Sequence, residues 1–185
     1  MYYKDTKIRK IIGNINLFPN FVTLIVETNT VTRMKDLIIT AVIKVYQYDE
    51  LNEADQALVK TAKDATARSY SPYSHFSVGA AVLLGNGIVV TGTNQENAAY
   101  PSGLCAERTT LFYANSQYPD QAVETLAIAA RNERGEFLEE PIPPCGACRQ
   151  VMLETEKRFK RPMRILLFGE KGIYELKNVG ALLPL

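Results

Sequence analysis

An excess of charge of one sign is what this sequence lacks: 21 lysines and arginines meet 20 aspartates and glutamates, for a formal net charge of +1. That balance is not the basic footprint of a protein that tracks a long nucleic acid, and it suits a small substrate better. Also missing is any apolar run of the roughly 20 residues needed to cross a bilayer. Lys4, Lys7, Arg9 and Lys10, ahead of an apolar stretch at 11–26, imitate a signal peptide weakly. Asn14, Asn16, Pro19 and Asn20 interrupt that stretch and no small-x-small cleavage site follows, so secretion is not expected. Cysteine is scarce, at three, and His75 is the sole histidine. An odd number of cysteines clustered at metal-ligand spacing argues for reduced thiols, and so for the cytosol. A chain of this length buries about 70% of its unfolded surface and needs no disulfides to hold a core.

The length and a hydrophobic content of 46% fit one domain with an appendage. Residues 1–33 carry no clear periodicity, although 21–26 reads as a short strand; Met34 opens a cleaner pattern, and we expect the natural start there. The β-branched run at 38–46 reads as a strand. Asn52 caps a helix over 52–67, with Glu53 and Asp55 in its first turn and Ala54, Leu58, Ala62 and Ala65 marking its apolar face. Ser71-Pro72-Tyr73-Ser74 is a turn, and strands at 76–84 and 88–94 flank the hairpin signal Gly85-Asn86-Gly87. A strand at 123–130 shows little alternation, as when both faces are covered. Helices are expected at 104–115 and 145–159, and short strands at 164–168 and 173–176. Strands alternating with helices mean an α/β layered sandwich. No repeat or linker splits the chain after residue 50, so the division is an N-terminal extension at 1–50 and a catalytic domain at 51–185.

All three cysteines lie in two stretches, Pro101-Ser102-Gly103-Leu104-Cys105-Ala106-Glu107-Arg108 and Pro143-Pro144-Cys145-Gly146-Ala147-Cys148-Arg149-Gln150. Pro144 suits the first position of a helix, which puts Cys145 and Cys148 on one face of its first turn. Cys105 also lies at a helix start, and the unpaired N–H groups of helix N-termini favour thiolates. Three protein ligands leave a catalytic zinc its fourth position for water; a closed structural site needs one ligand more. Three thiolates on Zn²⁺ carry a net negative charge that opposes deprotonation of that water. The helix N-termini offset it, and Arg108 or Arg149 could donate hydrogen bonds to the sulfurs. Glu107 would take a proton from the water and pass it on. Residues two apart do not share a face of a regular helix, so Cys105 and Glu107 converge only if the helix start is irregular or the ion sits off its end.

Other readings stand beside this one. Cys145-Gly146-Ala147-Cys148 alone also reads as a redox dithiol at a helix start, although such a pair needs no third thiol or carboxylate. His75, just before a strand, reads as a hydrogen-bonded positioning residue rather than a fourth ligand. Asn94 and Glu96 follow a strand, either as a polar turn or as a pair gripping hydroxyls. Phe76 is core by default.

A Cys-x-Glu ahead of Pro-Cys-x-x-Cys resembles the arrangement in zinc nucleobase deaminases. Over residues 51–185 the sequence is similar to the cytidine deaminases, in their small homotetrameric class with three cysteine ligands. Ser71-Pro-Tyr-Ser-His-Phe-Ser-Val-Gly-Ala-Ala81 resembles that family's opening signature, and Asn94-Gln-Glu-Asn-Ala-Ala-Tyr-Pro101 its sugar-binding segment. Cys105-Ala-Glu-Arg-Thr109 and Pro144-Cys-Gly-Ala-Cys-Arg-Gln150 resemble its two zinc motifs.

The resemblance implies a three-layer αβα sandwich on a mixed sheet of about five strands. It implies one zinc on Cys105, Cys145 and Cys148, with Glu107 as the proton shuttle and Arg108 hydrogen-bonded to the thiolates. Asn94 and Glu96 would hold the ribose 3′-hydroxyl, Phe76 would stack on the pyrimidine, and the Ala106 N–H would meet the base carbonyl. Tyr73 and Tyr100 would reach sites across subunit contacts of a homotetramer. The implied reaction is hydrolysis of cytidine and 2′-deoxycytidine to uridine and 2′-deoxyuridine, in pyrimidine salvage. Its nearest rival is deamination of another aminopyrimidine nucleoside of the blasticidin kind. The first 50 residues have no counterpart in the family core, residues 132–140 form a longer loop, and no residue here is assigned to the phenylalanine that many relatives supply from a C-terminal continuation.

Overall fold

Two central strands are buried on both faces, and that double cover sets the architecture. The computed structural model describes residues 38–183; the candidate strand at 21–26 and the candidate start at Met34 lie outside the described residues. The chain divides into two units, one ending at Ile38 and one beginning at Ile39, and the second carries everything below. In order its elements are β1 (Lys44–Tyr46), α1 (Glu53–Ala65), β2 (Ser77–Leu84), β3 (Val89–Thr93), α2 (Ala106–Gln117), β4 (Val123–Arg131), α3 (Gly146–Phe159), β5 (Arg164–Gly169) and β6 (Gly172–Leu176).

Val78, Ala80, Val82 and Leu84 of β2, with Leu126, Ile128 and Ala130 of β4, share one buried cluster with Leu111 of α2 and Met152 of α3. Ala81, Ala127 and Ala129, the residues between them, belong instead to a cluster with Leu58, Val59 and Ala62 of α1. A strand's side chains point alternately to its two faces, so the sheet is covered by α1 on one side and by α2 and α3 on the other. This is a three-layer αβα sandwich. Two glycines allow the close stacking. A Cβ on Gly79 would stand 2.7 Å from the Thr66 N behind α1, and one on Gly92 would stand 2.7 Å from the Thr110 N of α2.

Among the described residues the sheet has six strands in the order β1-β6-β5-β4-β2-β3. Among these six strands only β4 and β5 pair in parallel, joined through α3. The sixth strand, beyond the expected five, comes from the run at 38–46. Only Lys44–Tyr46 of that run forms a strand, opposite Glu175, Tyr174 and Ile173 of β6. Residues 38–43 have β-branched side chains but no ladder partner, and propensity without a partner does not make a strand. Both β3 and β4 run antiparallel to β2 and hence parallel to each other. The helices that follow them therefore both start at the same end of the sheet.

Leu58, Ala62 and Ala65 of α1 are buried as expected. Ala54 is exposed, whereas Asp55 and Val59 are buried. The Asn52 Oδ1 accepts from the Asp55 N–H at 2.9 Å, giving the expected cap. The Asp55 carboxylate accepts two hydrogen bonds from Arg164 of β5, at 3.1 and 2.7 Å, and Arg164 Nε also donates to Glu175 of β6 at 2.9 Å. This fork ties α1 to two strands. Asp55→Ala leaves a half-buried guanidinium with one of its two partners gone and should lower stability by about 2–3 kcal/mol. A denaturation midpoint equal to that of the wild type would contradict this account.

Candidate active site

The two helix starts that carry the cysteines meet at the shared end of the sheet. Cys105 caps α2 with φ −72° and ψ 157°, and Cys145 caps α3 with φ −66° and ψ 166°. Both are extended residues just outside the helix, so their sulfurs lie off the helix ends. That geometry answers the question of spacing: Cys105 is not on the helix, so the rule against neighbours two apart does not apply to Cys105 and Glu107. Pro144 precedes the cap, two places ahead of the expected first helical position, because the Arg149 N–H bonds the Cys145 carbonyl (2.9 Å) as the first helical link. Leu104 is likewise drawn out of α2 by mutual backbone hydrogen bonds with Gln95, at 2.8 and 3.0 Å.

The sulfurs of Cys105, Cys145 and Cys148 all lie within 4.8 Å of one another. Cys105 and Cys145 are 3.8 Å apart and Cys145 and Cys148 are 3.3 Å apart. Thiolates on one tetrahedral zinc, with bonds of about 2.3 Å, stand about 3.8 Å apart. The surrounding donors match as well. The Arg108 Nη2 donates to the Cys105 sulfur at 3.8 Å, and the Arg108 Nε is buried with no hydrogen-bond partner. An orphaned cationic donor beside three thiols suits a cluster that binds as thiolates. The set fits zinc, one ion per subunit.

A hydrogen bond from Cys148 and, further, Arg108 lower the Cys105 thiol to about 5. The hydrogen bond to Cys105, together with burial, pushes Cys148 upward. Glu107, in the first turn of α2, is 5% exposed, and burial pushes its carboxyl above the ordinary carboxylate range. Ala106 is wholly buried, and its N–H belongs to the first helical turn, which has no intrahelical acceptor.

A second set of residues surrounds this end of the sheet. Residue 95 bridges residue 70 on one side and residue 104 on the other, which sets Glu96 beside the 71–76 turn. Glu96 accepts from the Tyr73 N–H at 2.9 Å, the Ser74 N–H at 3.2 Å and the Ser74 hydroxyl at 2.5 Å. The Ser74 hydroxyl in particular holds this carboxylate below its usual range. Asn94 is buried. Its Oδ1 accepts from Val78 N (2.8 Å) and the Ser69 hydroxyl (2.5 Å), and its Nδ2 donates to the Phe76 carbonyl (2.8 Å). Phe76 is half-buried against the α2/α3 core.

Both polar residues thus brace the turn that presents Phe76. One Asn94 N–H and one lone pair on the Glu96 Oε1 remain, a donor and an acceptor for one hydroxyl group. His75 is exposed and stands outside the sulfur cluster. Its contribution is a left-handed backbone (φ 54°) that turns the chain into β2. Tyr73 and Tyr100 are 59% and 91% exposed. Arg149 does not reach a sulfur: it donates to the carbonyls of Pro144 and Leu182. Ser69 and Ser74 were not singled out from the sequence, because hydrogen bonds across 22 to 25 residues leave no periodic trace.

The model of one protein family, described as the cytidine and deoxycytidylate deaminase zinc-binding region, matches residues 52–161. The chain belongs to this family. A cytidine deaminase of Halalkalibacterium halodurans is 48% identical over 129 residues, covering 70% of this chain and 90% of that protein. One from Sporosarcina psychrophila is 40% identical over 129 residues, covering 70% and 88%. The crystal structure of a cytidine deaminase from Burkholderia pseudomallei superposes with a TM-score of 0.60 at 37% identity, covering 72% of this chain and 98% of that one. Membership of a zinc deaminase family leaves the redox-dithiol reading of Cys145 and Cys148 without support. Among the described residues, no helix is long and apolar enough to cross a membrane.

Proposed function

We propose that this chain hydrolyses cytidine and 2′-deoxycytidine to uridine and 2′-deoxyuridine, releasing ammonia, as a step of pyrimidine salvage. The observation that carries the reading is Glu107, a carboxyl buried at the start of α2 beside three sulfurs gathered at two helix N-termini. Cys105, Cys145 and Cys148 would hold the zinc. The bound ion supplies Lewis acidity that makes a water nucleophilic near neutral pH. Glu107 would take one proton from the attacking water and deliver it to the ring nitrogen beside C4, and the water's other proton would leave with the amino group as ammonia. Arg108 donates to the thiolates and offsets their charge. The Ala106 N–H meets the base carbonyl, and Phe76 stacks against the ring. Asn94 donates to the ribose 3′-hydroxyl and Glu96 accepts from it, using the hydrogen-bonding capacity that the 71–76 turn leaves free.

The relatives named above are cytidine deaminases, which supports the choice of base. Ammonia release from cytidine, 2′-deoxycytidine and blasticidin S, measured side by side, tests it. Turnover of the first two is expected, and turnover of blasticidin S alone would overturn the assignment.

The active assembly is a homotetramer in the cytoplasm, where three free thiols stay reduced. Two broadly exposed tyrosines, Tyr73 and Tyr100, support the sharing of sites between subunits. Activity per subunit should then fall on dilution, in step with the loss of tetramer seen by sedimentation. A fully active monomer would refute the shared site.

A further inference from the structure

We propose that Arg149 is a positioning residue for the metal site and couples the C-terminal segment at 179–183 to the ligand Cys145. The three ligands are held in different ways. Cys148 is wholly buried, so packing fixes it, whereas Cys145 is exposed at the cap of α3 and has no core around it. Hydrogen bonds must place Cys145, and Arg149 makes those on both sides of it. Its N–H bonds the Cys145 carbonyl at 2.9 Å, and its Nε donates to the Pro144 carbonyl at 2.8 Å. The same guanidinium reaches on through Nη1 to the Leu182 carbonyl at 3.0 Å. A planar fork with fixed donors spans two carbonyls in a way that a lysine ammonium does not.

The segment it grips is anchored to α3 a second time. Glu156, two turns further along the helix, accepts from Val179 N at 3.0 Å and from Met163 N at 2.7 Å. Leu182 N and Leu183 N both bond the Val179 carbonyl, at 2.8 and 3.1 Å. The stretch 179–183 is therefore a short strap along the ligand helix, and its far end bears on the peptide that precedes Cys145. Arg108 neutralises the thiolates; Arg149 touches no thiolate and sets where one of them stands.

The proposal rests on zinc occupying the three-cysteine site. In the full-length zinc-loaded protein, Arg149→Gln should release zinc to a chromophoric chelator about tenfold faster than the wild type. Arg149→Lys, which can hold one carbonyl, should lie between the two. Coupling also runs in reverse. Hydrogen exchange at the Leu182 and Leu183 amides should slow when the wild type binds zinc, and should not respond to zinc in Arg149→Gln. If Arg149→Gln does not fold, the lysine variant carries both measurements. Wild-type release rates in the variants, or C-terminal exchange that ignores zinc in the wild type, would overturn the proposal alone. A wild type that binds no zinc would overturn the metal assignment and the proposal with it.

Discussion

Replacing Glu107 by glutamine should lower kcat for cytidine by about 10⁴-fold and leave zinc content unchanged, which places the loss in proton transfer rather than in the metal. The substitution keeps the side chain's volume and leaves the caps formed by Cys105 and Cys145 intact, so the sulfur cluster has no reason to move. A buried carboxyl can accept a proton at one moment and return it at the next; the amide cannot. Glu107 is the one acidic residue in the first turn of α2, on the cluster's own helix. KM should change far less than kcat if the residue acts on the proton and not on binding. A glutamine variant with a kcat within a few-fold of the wild type would remove Glu107 from the chemistry.

Replacing Cys148 by alanine should empty the site. This sulfur is the buried one of the three, in the first turn of α3 and near both other ligands, and two remaining thiols cannot form the three-point hold of a catalytic zinc. Turnover should vanish together with the metal. The stabilisation linked to binding should vanish too. Wild-type Tm should rise on adding zinc to chelated protein, and the Tm of Cys148→Ala should stay where it is. Stoichiometric zinc in the variant would show that Cys148 is not a ligand.

Much of this was legible in the sequence, because the informative signals are local. Glycines at 85 and 87 mark the hairpin, and Asn52 with its acidic first turn marks α1. The strict spacing of the two cysteine motifs marks the ends of α2 and α3. What the sequence did not show depends on contacts between distant residues. Asp55 reads as a surface residue of a first turn until Arg164, 109 residues away, takes its carboxylate. Arg149 reads as a possible thiolate donor until Leu182 is brought beside it. Asn94 and Glu96 read as substrate ligands or as a polar turn, and in the fold they brace the Phe76 turn as well. The run at 38–46 is apolar enough for a long strand, but β6 offers a partner to only its last three residues. The conflict between Cys105 and Glu107 came from treating both as helical, and an extended cap dissolves it.

The central claim is that this chain, with zinc on its three cysteines, deaminates cytidine. Its most direct test is the ultraviolet absorbance of cytidine incubated with purified protein, with zinc measured on the same sample. The account predicts one zinc per chain and continuous conversion to uridine, lost on chelation and restored by zinc. Protein that carries its zinc and leaves both cytidine and 2′-deoxycytidine unchanged would contradict it.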